Sequence, residues 1–289
     1  MIDTLCISGG GINGFCFIGT LEYLISIKYF DPHLIINYVG TSIGSILCFL
    51  LSIGYSIYEL KNFILRFDFN LLENKLNIDN LFIHNGLNNG NKIIYILERF
   101  LFNKYKITDI TFKEHFKLTN KKISIIGTNY TTKSECLFNY EKTPTMSILV
   151  AIRISISIPI IFTPVLFENN YYIDGGLTNN FPIKYCNINN TLGLCNNDIC
   201  NNICYNLFSF IHGCCKILIN NSYKDYMVNT LNIININNFF DNIINFNLDT
   251  EIKSKSIEYG KIQAELYINN LSYNICISIL TDIINNIDT

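Results

Sequence analysis

The chain has 289 residues, a formal net charge of −2 and a pI near 6.1. Binding to a nucleic-acid backbone depends on clustered Lys and Arg residues, which this charge balance does not indicate, so we expect no nucleic-acid partner. Hydrophobic residues make up 49% of the chain and charged residues 15%, which points to extensive apolar surface that is either buried in a core or offered to lipid.

The length suits one large domain, which we expect over residues 1–270, followed by a helical extension over residues 271–289 that packs on it. The first residues lack the basic stretch and long apolar run of a secretory signal. The longest apolar run, residues 46–53, is too short to cross a bilayer as a helix. We therefore expect an intracellular, cytoplasmic protein that associates peripherally with membranes.

Eleven cysteines are scattered along the chain without the spacing of a secreted disulfide framework, which favours free thiols in a reducing compartment. One late cluster raises the alternative of a zinc site, because thiolates and imidazole are zinc ligands. The cluster lacks paired C-x-x-C spacing, so we expect thiols there rather than a metal. Its members are Cys195, Cys200, Cys204, Cys214 and Cys215, with His212 nearby.

The first predicted element is a strand over residues 4–7, soon followed by three glycines, Gly9, Gly10 and Gly11. From Phe15 onward apolar residues recur at helical spacing, so the glycine loop leads into the amino terminus of a helix. Glycines leave the backbone N–H groups free to bind an anion. Three anions are compatible with this pattern: a nucleotide pyrophosphate, a bound phosphate, and the oxyanion that forms when an ester carbonyl is attacked.

The second predicted strand, residues 34–39, leads into Gly40-Thr41-Ser42-Ile43-Gly44 and then into an apolar helix that stops near Gly54. This sequence matches the G-x-S-x-G nucleophile elbow, in which a serine on a sharp strand-to-helix turn projects its hydroxyl above the sheet. The alternative is a turn of small residues that lets a helix pack closely on a strand. The strand before the motif and the helix after it favour the nucleophile.

The middle of the chain predicts two helices, residues 57–67 and 92–102, separated by a polar stretch over residues 74–90. We expect this stretch to cover the site and to contact a membrane. The apolar residues that would make this contact are Leu81, Phe82 and Ile83.

Later in the chain strands and helices continue to alternate, which indicates a mainly parallel sheet covered by helices. A short strand ends just before Asp174. The other predicted strands are residues 121–132, 135–141, 190–196 and 232–237, and the predicted helices are residues 144–155 and 250–270.

Asp174 is the candidate base for Ser42, because it follows a short strand and therefore lies at the sheet edge where ligands bind. Asp174-Gly175 also fits a hairpin turn. A carboxylate with the usual pKa of about 3.9 is a weak base for a serine, so this role requires partial burial beside Ser42. A Ser-His-Asp triad would need a histidine after the acid. Only His212 follows it, and its apolar surroundings favour a buried histidine instead.

The glycines Gly9, Gly11 and Gly14 also fit the G-x-G-x-x-G spacing of dinucleotide-binding proteins. Such proteins carry an acidic residue for the ribose after the second strand, roughly 20 residues beyond the loop. The serine elbow occupies that place here, which disfavours nucleotide binding.

Taken together, three motifs resemble the motif set of the patatin-like phospholipases: Gly9 to Gly14, Gly40 to Gly44, and Asp174 to Gly176. Residues 151–165 are similar to the stretch that precedes the aspartate motif in that family. Order and spacing agree over residues 4–182. The resemblance implies an α/β fold, a three-layer α/β/α sandwich with a mainly parallel central sheet, that acts as a lipid acyl hydrolase.

The resemblance also implies a role for each motif. Ser42 would be the nucleophile, and Asp174 would accept its proton directly, without a histidine, a metal or a cofactor. The N–H groups of Gly9, Gly10 and Gly11 would form the oxyanion hole. The substrate implied is a phospholipid or a related acyl lipid. The glycines that support the motifs would be Gly14, Gly40, Gly44, Gly175 and Gly176.

One residue departs from the family pattern, since Asn13 stands where Lys or Arg is usual. An uncharged residue there would weaken the attraction of the loop for anionic head groups. Together with a composition biased towards Asn and Ile, this departure supports an alternative function. In that alternative the chain keeps the fold, is catalytically silent, and binds lipid or recruits a partner.

Overall fold

A mixed β-sheet with helices around it forms the body of the computed structural model, which describes residues 1–72, 78–197, 232–240 and 247–287. The strands are β1 (Thr4–Ile7), β2 (Asn37–Thr41), β3 (Gly86–Asn88), β4 (Lys122–Asn129), β5 (Ser134–Asn139), β6 (Ile160–Phe162), β7 (Val165–Phe167), β8 (Asn170–Asp174), β9 (Thr191–Asn197) and β10 (Ile233–Asn237). The helices are α1 (Gly14–Ser26), α2 (Ile43–Ser52), α3 (Ile57–Arg66), α4 (Ile78–His84), α5 (Asn91–Tyr105), α6 (Phe112–Thr119), α7 (Ile148–Ser155), α8 (Gly176–Asn179) and α9 (Thr250–Ile287).

Five parallel strands lie side by side in the sheet, in the order β10-β9-β1-β2-β4, and β10 is at the end of that order. All four residues of β1 are buried, as is typical of a parallel strand covered on both faces. Strands β5 and β8 pair antiparallel with β4, and β7 pairs antiparallel with β8. The expected α/β fold with a mainly parallel sheet is confirmed.

Strand β4 is the shared neighbour of β2 and β8. Strand β2 runs parallel to β4 and ends with Thr41 opposite Ile126, whereas β8 runs antiparallel to β4 and ends with Asp174 opposite Gly127. Both Ile126 and Gly127 also pair with β5, which occupies the other edge of β4. The carboxyl ends of β2 and β8 therefore meet head to head along a single edge of β4.

Helix α9 crosses α1 with close backbone contact. A Cβ atom on Gly260 would collide with the Cys16 carbonyl group, and Thr20 Oγ1 donates a hydrogen bond to the Gly260 carbonyl oxygen at 2.9 Å. Only glycine permits this approach without movement of either helix. Helix α9 also runs without a break through residue 270, and the division of the chain at that residue stays a prediction.

Helix α6 is missing from the predicted elements although its start carries a recognisable signal. The side chain of Thr111 accepts from the N–H of Glu114 at 3.2 Å, and the side chain of Glu114 accepts from the N–H of Thr111 at 2.9 Å. This reciprocal pair is a capping box, which marks the amino terminus of a helix.

The polar stretch expected as a cover contains α4 and β3, and β3 pairs with β6 in a separate two-stranded sheet. Phe82 and Ile83 in α4 are 80% and 70% exposed, so two of the three apolar residues named for this stretch face solvent. Residues 73–77 lie outside the described part of the chain.

The structure bears on the late cysteine cluster and on membrane-spanning helices only through the residues that it describes. Of the late cysteine cluster only Cys195 is described, and it is buried in β9. In the parts of the chain that the structure describes, no helix combines the length and apolar character needed to cross a membrane. The members of the cluster that lie outside the described residues are Cys200, Cys204, Cys214, Cys215 and His212.

Candidate active site

Ser42 forms the turn between β2 and α2, with φ 51° and ψ −123°. A positive φ costs a residue other than glycine roughly 1–3 kcal/mol, so the surrounding structure has to hold it. The N–H of Ser42 donates to Ser155 Oγ at 2.8 Å, and its carbonyl oxygen accepts from the N–H of Ser45 at 2.9 Å. The turn has the sharp strand-to-helix geometry of a nucleophile elbow.

Glycines make room for this turn on both sides. A Cβ atom on Gly40 would lie 2.6 Å from the Gly44 carbonyl group, and one on Gly44 would lie 2.6 Å from the Ser8 carbonyl oxygen. A larger residue at either position would require the backbone to move. At the first residue of α1, Gly14 leaves room in the same way for the side chain of Ile43.

Asp174 is the last residue of β8 and is buried. Its Oδ1 atom accepts the N–H of Gly176 at 2.6 Å, whereas Oδ2 has no hydrogen-bond partner among the described residues. Burial raises the pKa of Asp174 to about 7, against smaller lowering effects of the Gly176 N–H and the Ser42 hydroxyl. The structure thus brings Asp174 and Ser42 together and leaves one carboxyl oxygen unpaired.

Gly175 and Gly176 lead from Asp174 into helix α8. Gly175 packs against the carbonyl group of Ile126, where a Cβ atom would collide. Because α8 follows directly, Asp174-Gly175 is not a hairpin turn, and that alternative is wrong.

The end of α7 connects the two motifs, a role that sequence reasoning missed. Ser155 holds Ser42 through its Oγ, and its carbonyl oxygen accepts the N–H of Gly175 at 3.3 Å. The carbonyl oxygen of Ser157 accepts the N–H of Asp174 at 2.9 Å. Ser155 and Ser157 lie in residues 151–165, which resemble the stretch that precedes the aspartate motif in the patatin-like phospholipases. That resemblance was the only sequence signal for their role.

A buried arginine that donates to neutral oxygens holds this end of α7 in place. Arg153 donates to Ser157 Oγ at 2.5 Å, to the carbonyl oxygen of Asn89 at 2.8 Å and to that of Thr163 at 2.9 Å. Burial lowers the pKa of its guanidinium to about 10, so it remains charged at neutral pH. Arg153 therefore ties the turns that follow β3 and β6 to the residues beside Asp174.

The glycine loop lies against the elbow. A Cβ atom on Gly9 would lie 3.3 Å from the Cβ of Ser42, but the N–H of Gly9 already donates to the Asn180 carbonyl oxygen at 2.9 Å. The N–H groups of Gly10 and Gly11 make no hydrogen bond to other described residues. Gly11, with φ 55°, begins a 3-10 turn that runs into α1. Two of the three expected loop donors are therefore available to an anion.

A cavity of about 160 Å³ extends from Ser42 and Gly11 in among helices α1, α2, α3 and α5. Beyond Ser42 and the two glycines at that end, its walls are aliphatic and aromatic side chains. Such walls accept an alkyl chain and reject a charged or strongly polar group. Residues that line it include Phe15, Ile46, Leu47, Phe63, Leu97 and Phe100.

The raised pKa of Asp174 predicts a stability cost that depends on pH. Between the unfolded pKa of about 3.9 and the folded value of about 7, the folded state holds the additional proton, so the free energy of unfolding falls as the pH rises. We expect Asp174→Asn to raise the melting temperature slightly at pH 5 and more at pH 8, as measured by circular dichroism.

The exposed variant Glu265→Gln is the control for this measurement, since it also turns a carboxylate into an amide and should shift the melting temperature little at either pH. If Asp174→Asn raises the melting temperature by the same amount at pH 5 and pH 8, the pKa of Asp174 is not raised.

The chain is similar to known proteins over the residues that carry the motifs of the site. Residues 5–186 match the family model described as patatin-like phospholipase. A protein of Invertebrate iridescent virus 6 named "Probable lipid hydrolase 463L" is 43% identical over 196 residues, 65% of this chain and 65% of that protein. Protein R571 of Acanthamoeba polyphaga mimivirus is 37% identical over 184 residues, 63% of this chain and 60% of that protein. The chain thus matches less than two thirds of the length of these relatives.

Two solved structures share the fold at low sequence identity. VipD from Legionella pneumophila is 15% identical with a TM-score of 0.69, and the match covers 93% of this chain and 67% of VipD. A structure of SpcU in complex with ExoU from Pseudomonas aeruginosa is 16% identical with a TM-score of 0.53, covering 93% of this chain and 52% of the matched chain. The family model spans most of the described sheet and every motif of the site. This chain belongs to the patatin-like phospholipase family.

Proposed function

We propose that this chain hydrolyses carboxylic ester bonds of phospholipids or related acyl lipids, with Ser42 as nucleophile and Asp174 as base. The observation that carries the proposal is the meeting of β2 and β8 on β4, which sets a buried carboxyl beside a serine on a strained turn. Membership of the patatin-like phospholipases and the relative named a lipid hydrolase support the same reaction class.

In the proposed reaction the Ser42 Oγ atom attacks the ester carbonyl carbon, and its proton passes to Oδ2 of Asp174. The tetrahedral intermediate collapses, and the alcohol leaves with the proton from Asp174, so that an acyl group remains on Ser42. Water then attacks the acyl-serine and gives a proton to Asp174. That proton returns to Ser42 Oγ as the fatty acid leaves.

Asp174 suits this role because of its burial. A base works best when its pKa lies near the working pH, and a pKa of about 7 meets that condition where an exposed carboxyl would not. Oδ2 has no other partner among the described residues, so it is free to take the proton. Catalytic hydrogen bonds are often long in the free enzyme and shorten when substrate binds.

The N–H groups of Gly10 and Gly11 are the proposed oxyanion donors. They adjoin the amino terminus of α1, whose dipole also favours negative charge. Removing one such donor typically costs roughly 3 kcal/mol in the transition state. In this proposal Gly9 permits the loop to approach Ser42, while its own N–H stays bonded to Asn180.

The apolar cavity is the proposed site for the acyl chain. Each methylene group that leaves water for an apolar wall contributes about 0.8 kcal/mol. Because Ser42 and Gly11 lie at the polar end of the cavity, an acyl chain inside it would present its ester carbonyl to both. This arrangement favours an aliphatic acyl ester over a charged or sugar-based substrate.

A membrane surface is the proposed source of substrate. Phe69 and Leu72 line the cavity, and the carbonyl oxygen of Leu72 accepts from Asn88 Nδ2 at 3.1 Å, at the end of β3. Leu71, the chain neighbour of Leu72, is 61% exposed. Phe82 and Ile83, on the helix α4 that packs against β3, are exposed still further. Exposed apolar side chains beside an apolar cavity are suited to peripheral contact with lipid.

Ser42→Ala and Asp174→Asn test the reaction. Each should lower kcat/KM on a short-chain p-nitrophenyl ester and a fluorogenic phospholipid roughly 10³-fold or more. In the wild type kcat/KM should rise with pH through about 7 and then level off, because only the ionised Asp174 accepts the proton.

The exposed variants Ser272→Ala and Glu265→Gln serve as controls and should keep full activity. If folded Ser42→Ala retains wild-type turnover, the nucleophile lies elsewhere. If the wild type binds lipid but turns over none of these esters, the chain is the catalytically silent alternative.

Ile46→Trp tests the acyl site, since residue 46 lies one turn after Ser42 and lines the cavity. The larger side chain should reduce kcat/KM for a sixteen-carbon ester roughly tenfold or more, while a four-carbon ester reacts as before. Ile36→Trp, at a half-exposed position before β2, is the matched control. Equal losses on both esters would place the acyl chain outside the cavity.

Phe82→Ser combined with Ile83→Ser tests membrane contact. The double variant should float less with phosphatidylcholine vesicles in a density gradient than the wild type does, at unchanged hydrolysis of a soluble ester. Leu34→Ser combined with Ile36→Ser, at the opposite end of β2 from Ser42, should float like the wild type. If all three proteins float equally, α4 does not contribute to membrane binding.

A further inference from the structure

Asn13 lies between the glycine loop and α1 and is 1% exposed. All four hydrogen-bonding capacities of its side-chain amide are used. Oδ1 accepts from the N–H of Phe239 at 3.0 Å and from the N–H of Phe240 at 2.9 Å. Nδ2 donates to the carbonyl oxygen of Phe240 at 3.1 Å and to Oδ1 of Asn238 at 3.1 Å. The side chain therefore binds a strand-end segment far away in the sequence and has no capacity left for a ligand.

The segment that Asn13 binds is itself fixed to two helices. The ring of Phe239 packs on Tyr259 of α9 with centroids 5.5 Å apart, and the ring of Phe240 packs edge to face on Phe15 of α1 at 6.4 Å. Phe15 is also part of the cavity wall. The amide of Asn13 thus joins the start of α1 to a segment that α9 holds from the other side.

The backbone of Asn13 closes the turn that carries the proposed oxyanion donors. Its N–H donates to the carbonyl oxygen of Gly10 at 3.1 Å. The orientation of the peptide groups of Gly10 and Gly11 therefore depends on the position of Asn13. A shift of Asn13 towards or away from residues 238–240 would rotate those N–H groups relative to Ser42. A donor that no longer reaches the oxyanion stabilises the transition state less, whereas the affinity for the substrate stays the same.

We propose that Asn13 is a positioning residue, whose side-chain amide locks the oxyanion loop to residues 238–240. The inference rests on the proposed function and deepens it, because it makes residues beyond the family-matched range 5–186 part of the catalytic apparatus. It also assigns a reason for the uncharged residue at this position. Lysine or arginine has no acceptor atom, so either would leave the N–H groups of Phe239 and Phe240 without their partner.

The test uses the full chain with Asn13→Ala and Asn13→Asp, where the aspartate keeps the acceptor and loses the donors. Asn13→Ala should lower kcat on a soluble ester between 10- and 1000-fold with KM changed less than threefold, and Asn13→Asp should fall between Asn13→Ala and the wild type. Amide hydrogen exchange, followed by mass spectrometry, should accelerate in residues 10–14 and 238–240 together.

Thr20→Val is the matched control, because the Thr20 hydroxyl also joins α1 to the carboxyl-terminal part of the chain but lies away from the loop. It should lower the melting temperature and leave kcat unchanged. If Asn13→Ala does not fold, Asn238→Ala removes one acceptor of the same network and should show the same pattern at smaller size.

Three outcomes would overturn the inference: an unchanged kcat in Asn13→Ala, a loss confined to KM, or faster exchange at residues 238–240 without any change at residues 10–14. Failure of the proposed function is separate, since it would appear as a wild type without turnover. Hydrogen exchange would then still decide whether Asn13 couples the two segments.

Discussion

One edge of strand β4 determines the arrangement of the site. The parallel strand β2 and the antiparallel strand β8 occupy successive parts of that edge, so their carboxyl ends point at each other. Asp174, the last residue of β8, therefore faces Ser42, the first residue after β2. The closeness of Ser42 and Asp174 therefore follows from backbone pairing before any side chain is considered. The end of α7 then fixes both ends, through Ser155 on one side and Ser157 on the other.

The meeting of β2 and β8 lowers the stability of the folded protein in two ways. A carboxyl buried at the end of a strand is costly when ionised. The surroundings of Asp174 supply one N–H donor, and its second oxygen has no hydrogen-bond partner among the described residues. A second hydrogen-bond donor to Oδ2 would stabilise the ionised carboxylate and lower the pKa of Asp174. The strained backbone of Ser42 adds a second local cost, so the surrounding apolar core has to supply the stability that the site lacks.

Sequence reasoning succeeded where the signal is local. The glycine loop, the elbow and their flanking strands and helices depend on neighbours within a few residues, and all of them are present in the structure. The head-to-head meeting of β2 and β8 depends on which strands pair, and the residues of a single sequence do not show that. The use of the Gly9 N–H by Asn180 and the anchoring of Asn13 by Phe239 and Phe240 depend on equally distant contacts.

The position of β1 has a consequence for the synthesis of the protein. One of the two neighbours of β1 is β9, with Thr4 opposite Thr191, so β1 leaves the ribosome long before this partner does. At about 5–20 residues per second, a ribosome needs roughly 10–40 s to make the intervening chain. During that time one edge of β1 has no partner strand, and its backbone N–H and C=O groups can pair with other nascent chains. We therefore expect the growing chain to aggregate most readily before β9 and β10 leave the ribosome.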